Sequence, residues 1–187
     1  MPVVSITLLP GYGAETEQRL VQRVARAARS VIAAPAAGTT VFVNHASTYQ
    51  RDGAVRTVGG PAVPDAAGTV QAFLAHMQAR DLDAAAGLLA PDFAMRFPGA
   101  APMHRLQALL PWAAARYRRV AKTYGPIDQC WQDQATVVYC SGTLHGEWLD
   151  GTLFEGVRFI DRFEVVDGLI HRQDVWNDLA EVRPVTA

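Results

Sequence analysis

The chain has 187 residues, 50% of them hydrophobic and 19% charged, a composition that excludes disorder and allows one medium domain or two small ones. The formal charge of −1 leaves no basic excess to hold a phosphate backbone, so nucleic acid is not expected as a partner. The opening MPVVSITLLPGYG lacks a basic n-region and is too short and interrupted for a signal peptide or membrane span, so a cytoplasmic protein without a membrane partner is expected.

Pro2 to Leu9 is β-prone, and Gly11, Gly13, Glu15 and Glu17 mark the turn into a helix with an acidic first turn. From Glu15 to Ile32, Leu20, Val21, Val24, Ala28, Val31 and Ile32 recur at helical spacing, with four arginines on the opposite side. Pro35 and Gly38 end this helix. Thr39 to Ala46 reads as a second strand, followed by the turn Arg51-Asp52-Gly53 and a short strand around Val55. The stretch VGGPAVPDAAG, from Val58 to Gly68, lacks periodicity and is the best boundary in the chain. The expected organisation is a first domain over 1–58, a linker over 59–68 and a second domain over 69–187.

After the boundary, Val70, Phe73, Leu74 and Met77 form one helical face, and a second helix runs from Leu82 to Leu89 until Pro91 stops it. A third helix is predicted from Met103 to Lys122, kinked or begun at Pro111. In this reading the run Arg116-Tyr117-Arg118-Arg119 is a solvated helix face and Lys122, the only lysine, is solvated too. The period then changes to two. Strands are predicted over Ile127 to Gln132, Ala135 to Trp148, Leu153 to Val166 and Leu169 to Trp176, with Asp167-Gly168 as a tight turn. Cys130 and Cys140 fall in no CxxC pattern and read as free, buried thiols. The fold class is therefore α+β, a β-α-β unit with a hairpin followed by three helices and an antiparallel meander.

Two constellations carry chemistry. A proline directly after the initiator methionine becomes, once that methionine is removed, a secondary amine at the start of a strand; α-amino groups titrate at about 7.7–8.0, so it can serve as a neutral base. The pattern Pro2-Val3-Val4-x-Ile6-x-Leu8-Leu9-x-Gly11, the Glu-rich helix start, Ile32-Ala33-Ala34-Pro35 and Val41-x-Val43 together resemble the 4-oxalocrotonate tautomerase family over residues 2 to 58. The resemblance implies a tautomerase-type fold, Pro2 as general base and ring-shaped oligomers. Where members bind the substrate carboxylate through arginines this chain has Tyr12 and Thr40, and the pocket aromatic is replaced by Arg51; Arg51, Arg56 or His45 is a candidate to take over that binding.

In the second half, the strand from Phe154 alternates Glu155, Val157, Phe159, Asp161, Phe163 and Val165 on one face, which reads as the inner one. Asp161 is then an acid/base candidate among apolar neighbours, unless a cation pairs with it or a bulge turns it outward. The last strand presents His171, Gln173 and Val175 on one face and Arg172, Asp174 and Trp176 on the other; His145 and Trp148 are candidates for the cavity mouth. The hairpin Ala79-Arg80-Asp81-Leu82-Asp83, the junction Leu88-Leu89-Ala90-Pro91-Asp92-Phe93 and the ending Phe163-Glu164-Val165-Val166-Asp167-Gly168-Leu169-Ile170 are similar to the NTF2/SnoaL-like superfamily over residues 66 to 183. That resemblance implies a cone of three helices on a curved antiparallel sheet, and catalysis by an acidic residue with histidine support, for which Asp161, His171 and Asp174 are the candidates. Phe73 and Phe97 stand where related steroid isomerases carry their tyrosine and aspartate, so that mechanism is not expected.

The five histidines have no metal-ligand spacing and no phosphate-binding glycine motif is present, so neither metal nor cofactor is expected. The expected activity is proton transfer next to a carbonyl of a small molecule, by a cofactor-independent isomerase of the tautomerase type. The alternatives are a cyclase or isomerase acting on a polyketide-like substrate in the cone, or a binding protein without catalysis. A unit of about 60 residues buries too little to stand alone, so a homo-oligomer (dimer, trimer or hexamer) is expected.

Overall fold

The computed structural model describes residues 1–46, 48–56 and 62–182. The chain divides into two compact units, Met1–Val63 and Pro64–Ala187.

In the first unit, strand β1 (Val3–Leu8) leads into helix α1 (Ala14–Val31), a 3-10 turn at Ala36–Gly38 and strand β2 (Thr40–His45). β1 and β2 pair in parallel, from Val3 opposite Thr40 to Leu8 opposite His45, with α1 as the crossover. Glu15 and Glu17 lie in the first turn of α1 and Arg29 in the last, each complementing the helix dipole. Strands β3 (Tyr49–Arg51) and β4 (Ala54–Arg56) form a hairpin whose turn residues Asp52 and Gly53 both take positive φ, 54° and 73°, as a right-twisted two-residue turn requires. The described residues of this unit bury no apolar side chain; α1 has no buried residue at all.

The second unit opens with helices α2 (Ala66–Ala79) and α3 (Leu82–Ala86), so α2 begins within the stretch read from sequence as linker. Arg80 closes α2 in the left-handed conformation, and the Asp81 carboxylate caps α3 by accepting from the Ala84 amide at 3.1 Å. Strand β5 (Leu89–Arg96) follows where sequence periodicity foresaw no strand. Pro91 does not merely stop the preceding helix: it sits within β5, an edge strand whose register with its neighbour shifts between Leu89 and Ala94, where a missing amide donor is tolerated.

The predicted third helix, Met103 to Lys122, does not form as such. A 3-10 turn (Leu106–Ala108) and the short helix α4 (Leu109–Ala114) end before Tyr117, and the chain continues as strand β6 (Tyr117–Gln132). The cause is non-local: β6 pairs antiparallel with strand β7 (Ala135–Trp148), Tyr117 opposite Trp148 and Gln132 opposite Ala135, and this ladder overrides the helical spacing of Tyr117 and Val120. Arg118 and Arg119, predicted on a helix face, instead reach across the ladder to Glu147 at 2.9 and 3.3 Å. Strands β8 (Leu153–Val166) and β9 (Leu169–Asn177) complete a five-stranded sheet of order β5-β9-β8-β7-β6, antiparallel except for β5 and β9. Asp167 and Gly168, with φ of 49° and 81°, form the predicted tight turn.

Helix α2 lays Val70, Phe73 and Leu74 against Met95, Val138, Cys140, Phe163, Val165 and Ile170 of the sheet; the rings of Phe73 and Phe163 meet edge to face at 6.0 Å. The other end of the sheet carries a second cluster of Leu144, Trp148, Phe154, Val157 and Phe159. Gly142 permits the close crossing here, since a Cβ on it would lie 2.0 Å from the Thr123 carbonyl oxygen and 3.1 Å from the Phe159 ring. Of the two cysteines, Cys140 is buried as expected whereas Cys130 is exposed.

Candidate active site

The concave face of the sheet and the helices enclose a cavity of about 300 Å³. Its walls are mainly apolar, with Phe73 and Met77 from α2, Phe97, Trp112 from α4, and Leu144 and Phe159 from the sheet. The rings of Phe97 and Trp112 meet at 5.0 Å with a tilt of 52°, and Tyr124 meets Phe159 edge to face at 5.8 Å. Polar side chains in its lining are Gln78, Arg80, Lys122, Tyr124, Gln173 and Asn177. This is the usual make-up of a small-molecule site, an apolar container with few convergent polar groups.

Asp161 lies at the base of that polar group. It is on the inner face of β8 with Val157, Phe159, Phe163 and Val165, as its alternation predicted, and it is 0% exposed. The predicted face fails only at its start: Glu155 is exposed and Phe154 buried, because Gly156 takes a φ of +71° beside a register shift between β7 and β8 and so reverses the phase. Lys122 is the partner of Asp161, its Nζ contacting Oδ2 and lying 4.5 Å from the centre of the Phe159 ring. The solvated Lys122 expected from sequence is thereby corrected. Placed on a strand rather than a helix, it faces Leu144 across the ladder and turns its amine into the cavity wall, with 23% of its side chain exposed.

Burial pushes the Asp161 carboxyl above the ordinary carboxylate range, against the Lys122 charge and polar contacts from Lys122 and Gln173 that pull it down. Gln173 does not close a full hydrogen bond to Oδ1, which has no partner; the indole Nε1 of Trp112 is likewise buried and unpartnered. Desolvation and the Asp161 charge push the Tyr124 phenol up and the Cys140 thiol up to about 11, and burial raises Tyr117 to about 12, so these groups stay neutral at neutral pH. Lys122, in the cavity wall, and the buried Asp161 behind it are the acid/base pair of the site.

The other sequence candidates stand elsewhere. A register shift between β8 and β9 sets His171 out of line, and its Nδ1 pairs with Asp92 at 2.8 Å, away from the cavity lining. Asp174 is buried on the opposite face from Gln173 and is held by Arg96 at 2.7 Å, Arg172 at 2.8 Å and Arg162 at 3.8 Å. Trp176 is exposed beside Ile160 on that outer face, and His145 is exposed on β7. Trp148 is buried against Phe154 at 4.7 Å and lines a smaller recess of about 150 Å³ that shares Trp112 and Tyr117 with the main cavity. In the first unit, Pro2 is half-buried and its carbonyl accepts from the Thr40 amide at 3.1 Å. Tyr12 is half-buried, Thr40 is exposed, His45 bonds Glu17 at 2.8 Å and Arg51 reaches Asp52 at 3.7 Å. Sequence reasoning missed Lys122; its being the only lysine, two positions from an aromatic residue in a β-prone run, was the available signal. Among the described residues no cluster of histidine, cysteine and carboxylate groups is arranged to hold a metal, and no helix is long and apolar enough to cross a membrane.

Helices packed on a curved five-stranded sheet around an apolar cavity make up a fold shared with solved NTF2-like structures. An NTF2-like protein of unknown function from Burkholderia pseudomallei K96243 superposes with a TM-score of 0.54 at 19% identity, over 65% of this chain and 97% of that one. A candidate polyketide cyclase from Xanthomonas campestris pv. campestris gives a TM-score of 0.50 at 23% identity, over 62% of this chain and 91% of that one. TerC, co-crystallised with polyporic acid, gives 0.50 at 16% identity, over 62% and 92%. The SnoaL-like domain family matches residues 70–173, more than half of the sequence, and the chain belongs to that family. No curated protein matches it.

Proposed function

We propose that the C-terminal cone binds a bulky, apolar, carbonyl-bearing molecule and moves a proton next to its carbonyl, as a cofactor-independent cyclase or isomerase. The observation that carries this reading is Lys122 in the wall of a mainly apolar cavity, paired with the buried Asp161 behind it. Neighbouring proteins of the same fold support it: one is named a candidate polyketide cyclase, and another was crystallised with polyporic acid.

The amine and the buried carboxyl are in direct contact, so one proton can pass between them. With the proton on Asp161, the Lys122 amine is a base toward the cavity; with the proton on Lys122, the ammonium is an acid and stabilises charge developing on a substrate oxygen. Asp161, wholly buried behind Lys122, acts through it as a positioning residue and proton partner. Proton NMR of 2-tetralone in deuterated buffer tests the reading by following exchange at the carbon next to the carbonyl. The native protein is expected to accelerate exchange, and Asp161→Asn and Lys122→Arg to lose about 100-fold or more of that acceleration. Exchange that both variants leave unchanged overturns it.

A second reading concerns the N-terminal unit, where Pro2 opens the first strand of a β-α-β-hairpin arrangement. We infer a tautomerase-type site based on Pro2 once Met1 is removed. Intact mass decides its premise: loss of one methionine exposes the amine and Pro2→Ala should then abolish turnover of enol and α-keto acids, whereas retention of Met1 eliminates it.

A further inference from the structure

We propose that Lys122 captures ketones or aldehydes covalently, making the cone an imine-forming site for an apolar carbonyl compound. The inference rests on the cavity being a ligand site, as above, and adds a covalent step to it. Three observations support it. The only amine side chain of the protein is in the cavity wall. Asp161, its partner, is 0% exposed and lies behind it, so an incoming carbonyl carbon meets Nζ before the carboxylate. Oδ1 of Asp161 has no hydrogen-bond partner, which leaves a free lone pair beside the amine for a proton.

Proton transfer from Nζ to Asp161 turns an ion pair into a neutral amine and a neutral acid, a change that apolar surroundings favour. Burial raises the Asp161 carboxyl, which lowers the cost of that transfer. The amine then adds to the carbonyl carbon, forming a C–N bond, and the carbonyl oxygen becomes the hydroxyl of a carbinolamine by taking one of the amine's protons. Asp161 returns its proton to that hydroxyl, the C–O bond breaks and water leaves. The product is an iminium on Lys122 facing an ionised Asp161. The ammonium's three protons are accounted for, two in the released water and one on the iminium nitrogen, and nothing is oxidised or reduced.

The full-length protein is incubated with 2-naphthaldehyde and cyanoborohydride, and adducts are located by peptide mass mapping. The N-terminal amine is the only competing site, and it lies on a different peptide. Reductive alkylation of Lys122 is expected at least about tenfold faster than that of Nα-acetyl-lysine under the same conditions. Asp161→Asn should remove that advantage, and Lys122→Arg, which keeps the positive charge, should leave only the N-terminal adduct. Alkylation of Lys122 no faster than of Nα-acetyl-lysine overturns the proposal. A parallel titration of tryptophan fluorescence with 2-acetonaphthone separates the two failures: binding without an accelerated adduct refutes the imine and leaves the proton-transfer reading intact, and absence of binding refutes both.

Discussion

The two units of this chain use similar sequence patterns to opposite effect. In the C-terminal unit, the packing of α2 and the 3-10 turn on the five-stranded sheet leaves Phe73, Met95, Leu106, Val138, Phe163 and Ile170 almost completely buried. In the N-terminal unit, α1 has a cleaner apolar stripe than α2, yet Val3, Val31, Ile32, Phe42 and Val55 are exposed and no apolar side chain among its described residues is buried. Amphipathicity is a statement about a face, not about what covers it. A stripe contributes to stability only where a second layer removes it from water, by roughly 25 cal/mol per Å². The difference teaches that the C-terminal unit covers its own apolar faces, whereas the N-terminal unit, with two two-stranded sheets and one long helix, leaves its apolar stripe uncovered among the described residues.

Cutting the chain at that division gives the largest expected effect. A 64–187 fragment should keep a cooperative thermal transition, while a 1–63 fragment should lose its circular-dichroism signature at micromolar concentration and regain helix as concentration rises. A 1–63 fragment that melts cooperatively as a monomer in sedimentation would break the comparison. Next in size, Phe163→Ala in the C-terminal core should cost about 3–5 kcal/mol in urea unfolding, and Val43→Ala on the half-buried face of β2 well under half of that. Similar losses at the two positions would mean that the N-terminal strand is as well covered as the core.

The smallest effect sharpens the account of the cavity. Because the folded-state carboxyl of Asp161 is raised above its ordinary 3.8, the folded protein binds more protons than the unfolded chain just above that pH. The contribution of Asp161 is therefore fully present below 3.8 and lost as pH rises through the folded value. Glu147, lowered from 4.5 by hydrogen bonds from Arg118 and Arg119, has the opposite sign: its contribution is present above 4.5 and lost as pH falls. Subtracting the urea midpoints of Asp161→Asn from those of the native chain across the acidic range should isolate a difference that declines with rising pH. A difference that is flat or rises with pH contradicts a desolvated Asp161.

The sequence by itself determined the elements whose periodicity is local. Helix α1, the long strands β7 and β8, the Asp167-Gly168 turn and the inner face of β8 from Val157 to Val165 follow from spacing alone, because side-chain direction along a strand or helix depends only on the backbone repeat. The burial of Asp161 was legible for the same reason. Tertiary structure alone decided the rest of the site. Tyr117 to Lys122 satisfies helical spacing as well as strand spacing, and only the ladder with β7 selected the strand that carries Lys122 to Asp161. The register shifts that set His171 out of line and turn Asp174 toward three arginines arise between strands, where the backbone hydrogen bonds of one segment are satisfied by another, and no periodicity within a segment encodes them.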